Sequence, residues 1–177
     1  MAEGRVIIMT GATGTGKTTN IKEIISQIPL PKYFIDKDGE YKEFNSYWVN
    51  GHSIKKAFAS MKNMLKDKEN YAAVFSEAGI YMTHNEGDDE EMREILKSAR
   101  RRGGWLCLDF HGLSEVPLWT LKYCNYLYIK KTVMESASQL KKWKDYPEIM
   151  EARKFVQESE NNFETIIINP RNLRIDL

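Results

Sequence analysis

Gly11-Ala12-Thr13-Gly14-Thr15-Gly16-Lys17-Thr18 carries the spacing G-x-x-x-x-G-K-[ST]. Glycines at these positions let successive backbone N–H groups converge on a phosphate, a lysine after the last glycine reaches the β- and γ-phosphates, and the threonine hydroxyl is a hard oxygen ligand suited to Mg²⁺. Such a loop works only between a strand and a helix, because the open N–H groups and positive dipole end of the helix complete the anion site. Both are present. Arg5 to Thr10 is a short β-branched run, and Ile21, Ile24, Ile25 and Ile28 recur at i, i+3, i+4, i+7 until Pro29 stops the pattern. Residues Gly11 to Thr18, with Thr19 in the first helical turn, are therefore read as the binding loop for a nucleoside triphosphate taken as Mg-ATP, with Thr18 on the metal.

Hydrolysis needs a carboxylate at a neighbouring strand end to hold the metal shell, and often a second to polarise water. The apolar run Tyr71 to Phe75 reads as a strand covered on both faces, and Ser76-Glu77 follows it. Serine stands where an aspartate is usual. Ser76 can hydrogen-bond a metal-bound water but brings no charge, which leaves the turnover rate open, while Glu77 is the candidate general base. Asp36 and Asp109 close two other strands; Asp109 is read as a loop-facing or salt-bridged residue.

The remaining pattern sets the scaffold. Lys32 to Asp36, Trp105 to Phe110 and Asn125 to Ile129 read as strands, and Phe163 to Ile168 and Leu173 to Ile175 as later ones. Ser53 is placed to cap a helix carrying Ile54, Ala57, Phe58, Met61 and Leu65. Asp88 to Arg102 reads as a helix with acids in its first turn and Lys97 and Arg100 to Arg102 in its last, ended by Gly103-Gly104. Further helices are expected over Val133 to Lys144 and Pro147 to Gln157. Strands alternating with helices predict an α/β P-loop NTPase sandwich of three layers around a mainly parallel sheet, with its ligand at the strand C-termini. A chain of 177 residues suits a single domain, 1–177, with a core over 5–131 and a helical and strand extension over 132–177.

Composition narrows the partners. Twenty-six basic side chains against 25 acidic ones give a net charge of +1, so nucleic acid cannot be held by bulk charge and would need local patches. Three are visible, Arg100 to Arg102, Lys130-Lys131, and Lys141-Lys142 with Lys144. Cys107 and Cys124 sit in apolar stretches without metal or redox spacing and are read as reduced core residues. The apolar run Val6 to Met9 is too short for a signal-peptide core, and no run approaches a membrane span, so a soluble, cytoplasmic protein without membrane insertion is expected.

Several segments in order resemble the HerA/FtsK superfamily of P-loop motor ATPases, which includes viral DNA-packaging ATPases and zonula-occludens-toxin-like proteins. Besides the loop, Ile35-Asp36-Lys37-Asp38-Gly39-Glu40-Tyr41 is similar to the family's D-P-K-G-E-Y segment, with Lys37 in place of proline. Ala99-Arg100-Arg101-Arg102-Gly103-Gly104, the strand after it, then His111 and Val116-Pro117 resemble its arginine-rich helix end, sensor strand and proline turn. The sensor is usually glutamine. The resemblance covers about residues 5 to 131. It implies a ring, commonly a hexamer, with ATP between subunits, an arginine such as Arg101 supplied in trans, His111 orienting the γ-phosphate or water, and double-stranded DNA gripped without sequence preference. If viral, the protein would work in the host cytoplasm. The chain begins at the loop-bearing strand, so the N-terminal barrel of some members is expected to be missing.

Two other classes also fit a P-loop of this size. A small kinase would need an arginine lid over its donor phosphates, for which the only dense arginine cluster is Arg100 to Arg102. A slowly hydrolysing assembly or regulatory protein is favoured by Ser76. Trp143, Tyr146 and Phe155 are read as packing or interface residues, not a base-stacking platform.

Overall fold

A computed structural model describes residues 3–36, 39–44, 47–48 and 54–172. Ser53, the Lys37-Asp38 part of the acidic segment and the Leu173 to Ile175 strand lie outside the described residues. The apolar run after Arg5 forms β1 (Arg5–Thr10), the pivot of a seven-stranded sheet ordered β3-β2-β4-β5-β1-β6-β7. Its neighbours are β5 (Trp105–Phe110) and β6 (Tyr126–Lys130), both parallel to it. Beyond β5 lie β4 (Ala72–Phe75), β2 (Lys32–Ile35) and the two-residue β3 (Tyr47–Trp48), also parallel. β7 (Thr165–Ile168) closes the other edge antiparallel to β6.

Each central strand is covered on both faces, so alternate residues enter different cores. Val6 and Ile8 pack into one apolar cluster, Ile7 and Met9 into the other. The larger cluster is closed by α2 (Ile54–Leu65), α3 (Glu90–Ala99) and α5 (Pro147–Glu158), through residues such as Met61, Ile95 and Ile149. The smaller is closed by α1 (Lys17–Ser26), through Ile21 and Ile25, and by Tyr41 stacked on Phe34 at 5.0 Å. This is a three-layer α/β sandwich. Side chains of this size each contribute about 1.5–3 kcal/mol when buried. Ile8 is fully buried on β1, so Ile8→Ala is expected to cost about 2–5 kcal/mol.

Two segments differ from the pattern reading. The helix expected over Val133 to Lys144 is α-helical only in α4 (Ala137–Leu140), with a 3₁₀ turn over Lys141–Trp143. Its start is set by a capping box in which Ser136 and Gln139 satisfy each other's backbone N–H groups, and Val133 and Met134 stay outside, exposed. α3 begins at Glu90 because the Asp89 carboxylate accepts from Met92 N, and Asp88 belongs to a preceding 3₁₀ turn. Trp143 is fully buried and donates to Leu113 O at 2.9 Å, whereas Phe155 is exposed. Cys107 and Cys124 are buried free thiols, both pushed up to about 12 by desolvation. Among the described residues no helix is long and apolar enough to cross a membrane.

Candidate nucleotide site

The parallel strands all point their C-terminal ends to one side, and the glycine loop leaves β1 there, between the ends of β5 and β6. Gly11 N donates to Phe110 O and Ala12 N to Lys131 O, so the loop base is held by both neighbours. Gly14 and Gly16 have φ of 82° and 78°, a region that penalises any side chain, which is why these positions are glycine. Gly16 caps α1 without a side-chain hydrogen bond, and the first-turn N–H groups, those of Thr18 and Thr19 among them, have no partner within the helix. Thr15 turns inward, its hydroxyl donating to Ala12 O at 2.8 Å. Lys17 is buried, its ammonium donating to Gly11 O at 2.6 Å and Ala12 O at 3.3 Å and lying 3.8 Å from Asp109 Oδ1.

A pocket of about 340 Å³ opens over this loop. Thr13, Lys17, Thr18 and Thr19 line it, together with Ser76, Glu77, Asp109 and His111 from the β4 and β5 ends. Of the residues read as site residues from sequence, Gly11 and Thr15 belong to the loop without lining the pocket and Arg101 is not among its walls; the others converge here. Ser76 is set by its N–H on Ile35 O and by Tyr81, whose hydroxyl donates to Ser76 O at 2.8 Å. Glu77 has φ 51° and ψ 42°, left-handed for a residue with a Cβ. Such backbone costs of order 1–3 kcal/mol and persists where the surroundings enforce it. It brings Glu77 Oε1 to 3.5 Å from His111 Nε2, and His111 is itself fixed through its N–H on Glu115 Oε2.

Asp109 departs from the loop-facing alternative and fits the salt-bridged one. It is 5% exposed, and burial, opposed by Lys17 and His111, raises its carboxyl to about 6. Asp36 does not enter the pocket. Both its oxygens accept backbone N–H groups, those of Glu40 at 3.0 Å and Tyr41 at 2.9 Å. The effect is to project Glu40, whose Oε2 accepts the Thr18 hydroxyl at 2.9 Å. Sequence reasoning quoted Glu40 within the acidic segment without giving it a role; the signal was an aspartate four residues upstream, able to cap the turn. Phe163, also in the pocket wall, had no local signal at all.

The arginines lie at the other end of the sheet. They precede Trp105, which pairs with Arg5 where both strands begin, and the loop follows six residues later. At about 3.3 Å per residue this separation is on the order of 20 Å. Arg100 pairs with Glu3, and Arg102 donates to Lys66 O, whereas Arg101 is exposed and makes no ion pair or hydrogen bond among the described residues. The other basic patches are engaged within the fold in part. Lys130 is 1% exposed, its ammonium on Thr165 Oγ1 at 2.6 Å; Lys131 donates to Ser159 O. Lys142 donates to Ser114 O and Val116 O and is lowered to about 8 by burial. Lys130, Lys131 and Lys142 thus hold the chain together, whereas Lys141 and Lys144 of the third patch stay exposed.

No family model matches the sequence, and no curated protein does. Among solved structures, the genome packaging NTPase of Sulfolobus turreted icosahedral virus 2 in complex with ATP-gammaS superposes with a TM-score of 0.72 at 16% identity, over 96% of this chain and 93% of that one. The chain has the P-loop NTPase fold. The DNA-packaging ATPase of Sulfolobus turreted icosahedral virus superposes at 0.66 and 13% identity, over 96% of this chain and 99% of that one. The N-terminal domain of zonular occludens toxin from Neisseria meningitidis gives 0.57 at 15%, over 75% and 79%. The architecture is the P-loop α/β sandwich that the alternation of strands and helices predicted.

Proposed function

We propose that this chain is an ATP-hydrolysing motor subunit of the HerA/FtsK type that moves double-stranded DNA through a ring, in a role such as genome packaging in a host cytoplasm. The observation that carries the reading is the meeting of Glu77 and His111, 3.5 Å apart, in the wall of a glycine-loop pocket. The structures of similar fold include two packaging enzymes, one in complex with an ATP analogue, which supports the same reading.

In this reading the triphosphate lies along the N–H groups of Gly14 to Thr19, and Lys17 exchanges its loop carbonyls for β- and γ-oxygens. Glu77 accepts the proton of the attacking water, and His111 orients that water or the γ-phosphate. The oxygens of Thr18, Ser76 and Glu40 suit Mg²⁺, which when bound neutralises charge on the β- and γ-phosphates. Among the described residues no group of three or more His, Cys, Asp or Glu forms a metal cage, and Mg²⁺ is commonly held by one or two protein groups plus substrate phosphates. Glu40 restores the charge that Ser76 does not bring, which weakens the case for a slowly hydrolysing assembly protein. Arg101 completes the site of a neighbouring subunit in a homo-oligomeric ring, commonly a hexamer. From the far end of the sheet it cannot close as a lid over its own chain's phosphates, as a kinase would require.

The test is phosphate release from ATP with and without linear double-stranded DNA, in wild type, Lys17→Ala and Glu77→Gln. DNA-stimulated release lost in both variants is the expected result. Nucleotide binding without release under either condition would overturn the motor reading.

A further inference from the structure

The pocket has two walls of different chemistry. Sheet order places β4 and β5, which carry Glu77 and His111, on one side of the loop strand β1, and β6 and β7 on the other. The hydrolytic groups mark the γ-phosphate end, so the nucleoside end of a bound nucleotide must run toward the β6–β7 side. There the pocket wall is Phe163.

Phe163 is 64% exposed, although burial is the favoured state of an aromatic ring. Its ring Cδ1 lies only 3.2 Å from where a Cβ on Gly16 would stand. The segment bearing it is clamped in place. Phe163 N donates to Asn161 Oδ1 at 3.0 Å, Phe163 O accepts from Thr165 Oγ1 and Lys130 Nζ, and Lys131 Nζ donates to Ser159 O. The same pair of lysines adjoins the glycine loop, since Ala12 N donates to Lys131 O. Buried Lys130 and half-buried Lys131 thus tie an exposed ring to the phosphate loop. Asn20 lies beside it, Oδ1 3.9 Å from the same Gly16 position, with no side-chain hydrogen bond among the described residues.

We infer that Phe163 is the platform on which the nucleobase stacks, with the Asn20 amide at the edge of the base. This rests on the reading of the pocket as a nucleotide site and adds what the ring contributes to it. Every base offers a π-face, so stacking here favours nucleotides over bare polyphosphates without selecting strongly among bases.

The experiment is calorimetric titration of wild type, Phe163→Ala, Phe163→Trp and Lys17→Ala with Mg-ATP and, separately, with Mg-tripolyphosphate. Because the ring is exposed, Phe163→Ala should keep the wild-type melting transition, which is checked alongside. The expected result is an ATP affinity lowered about tenfold or more in Phe163→Ala, an unchanged tripolyphosphate affinity, and recovery in Phe163→Trp. Lys17→Ala should lose both ligands. Unchanged ATP affinity in Phe163→Ala, or equal loss of both ligands, would overturn the stacking role. A wild type that binds neither ligand would instead overturn the nucleotide reading itself.

Discussion

The two ends of the parallel sheet are built by the same device for opposite purposes. Where the strands end, Asp36 gives both carboxylate oxygens to backbone N–H groups and so presents Glu40 to Thr18. Where the strands begin, Arg100 and Arg102 are held by Glu3 and Lys66 O, and Arg101 between them is exposed with no hydrogen bond or ion pair among the described residues. In each case tethered residues present a neighbour, Glu40 to Thr18 and Arg101 to solvent. The site end, however, also stores cost, in the left-handed backbone of Glu77 and the buried carboxyl of Asp109. The arginine end stores cost too, in the left-handed backbone of Asn70 and in the Tyr71 hydroxyl, buried without a hydrogen-bond partner among the described residues, although Asn125 there is paired with both polar atoms of the Val6 backbone. What separates the two ends is charge: a buried carboxyl lies against Lys17 at one, and an exposed cation stands at the other.

The largest expected effect breaks the contrast among the arginines. Arg101→Ala should lower kcat by about 10³-fold or more, as loss of an arginine in trans does, while Arg100→Ala changes kcat only a few-fold; steady-state phosphate release measures both. Next, Glu77→Gln should lower kcat about 10²- to 10⁴-fold with ATP binding retained in titration. A variant that hydrolyses at the wild-type rate would remove Glu77 as the base.

Asp109 sharpens the contrast through pH. Its folded carboxyl is raised from 3.8 to about 6, so the folded state binds more protons than the unfolded chain in that window. Stability therefore falls as pH rises through it, and the cost is complete above about pH 6, at most about 3 kcal/mol. Asp109→Asn should gain melting temperature relative to wild type between pH 4 and 6 and hold a constant difference above. The smallest effect concerns the charge that Ser76 does not supply. Glu40→Gln should raise the Mg²⁺ concentration for half-maximal activity about tenfold, an effect that Mn²⁺ titration of the nucleotide complex would show without turnover.

The glycine loop and the central strands were legible because their signals are local. Glycine at positive φ, a lysine beside it and a run of apolar residues each act within a few positions. Ser76, Glu77 and His111 were legible as strand-end residues by the same logic, although their mutual approach depends on β4 and β5 lying side by side. What stayed hidden depends on contacts far apart in the chain. Lys130 looks like half of a basic patch, yet Thr165, 35 residues later, takes its ammonium inside. Phe163 looks like the start of a strand, and only the clamp on its segment leaves the ring over Gly16. The helix expected from Val133 starts late because Ser136 and Gln139 cap each other, a local signal that the apolar pattern overrode in the reading.

Mixing the two inactive variants, Arg101→Ala and Glu77→Gln, tests most directly whether the two ends of the sheet meet between subunits. Each alone should release little phosphate from ATP, and the mixture should regain a substantial fraction of wild-type activity, because some interfaces then pair an intact Glu77 with an intact Arg101. A mixture as inactive as its components, with nucleotide binding and assembly intact in both, would contradict the account.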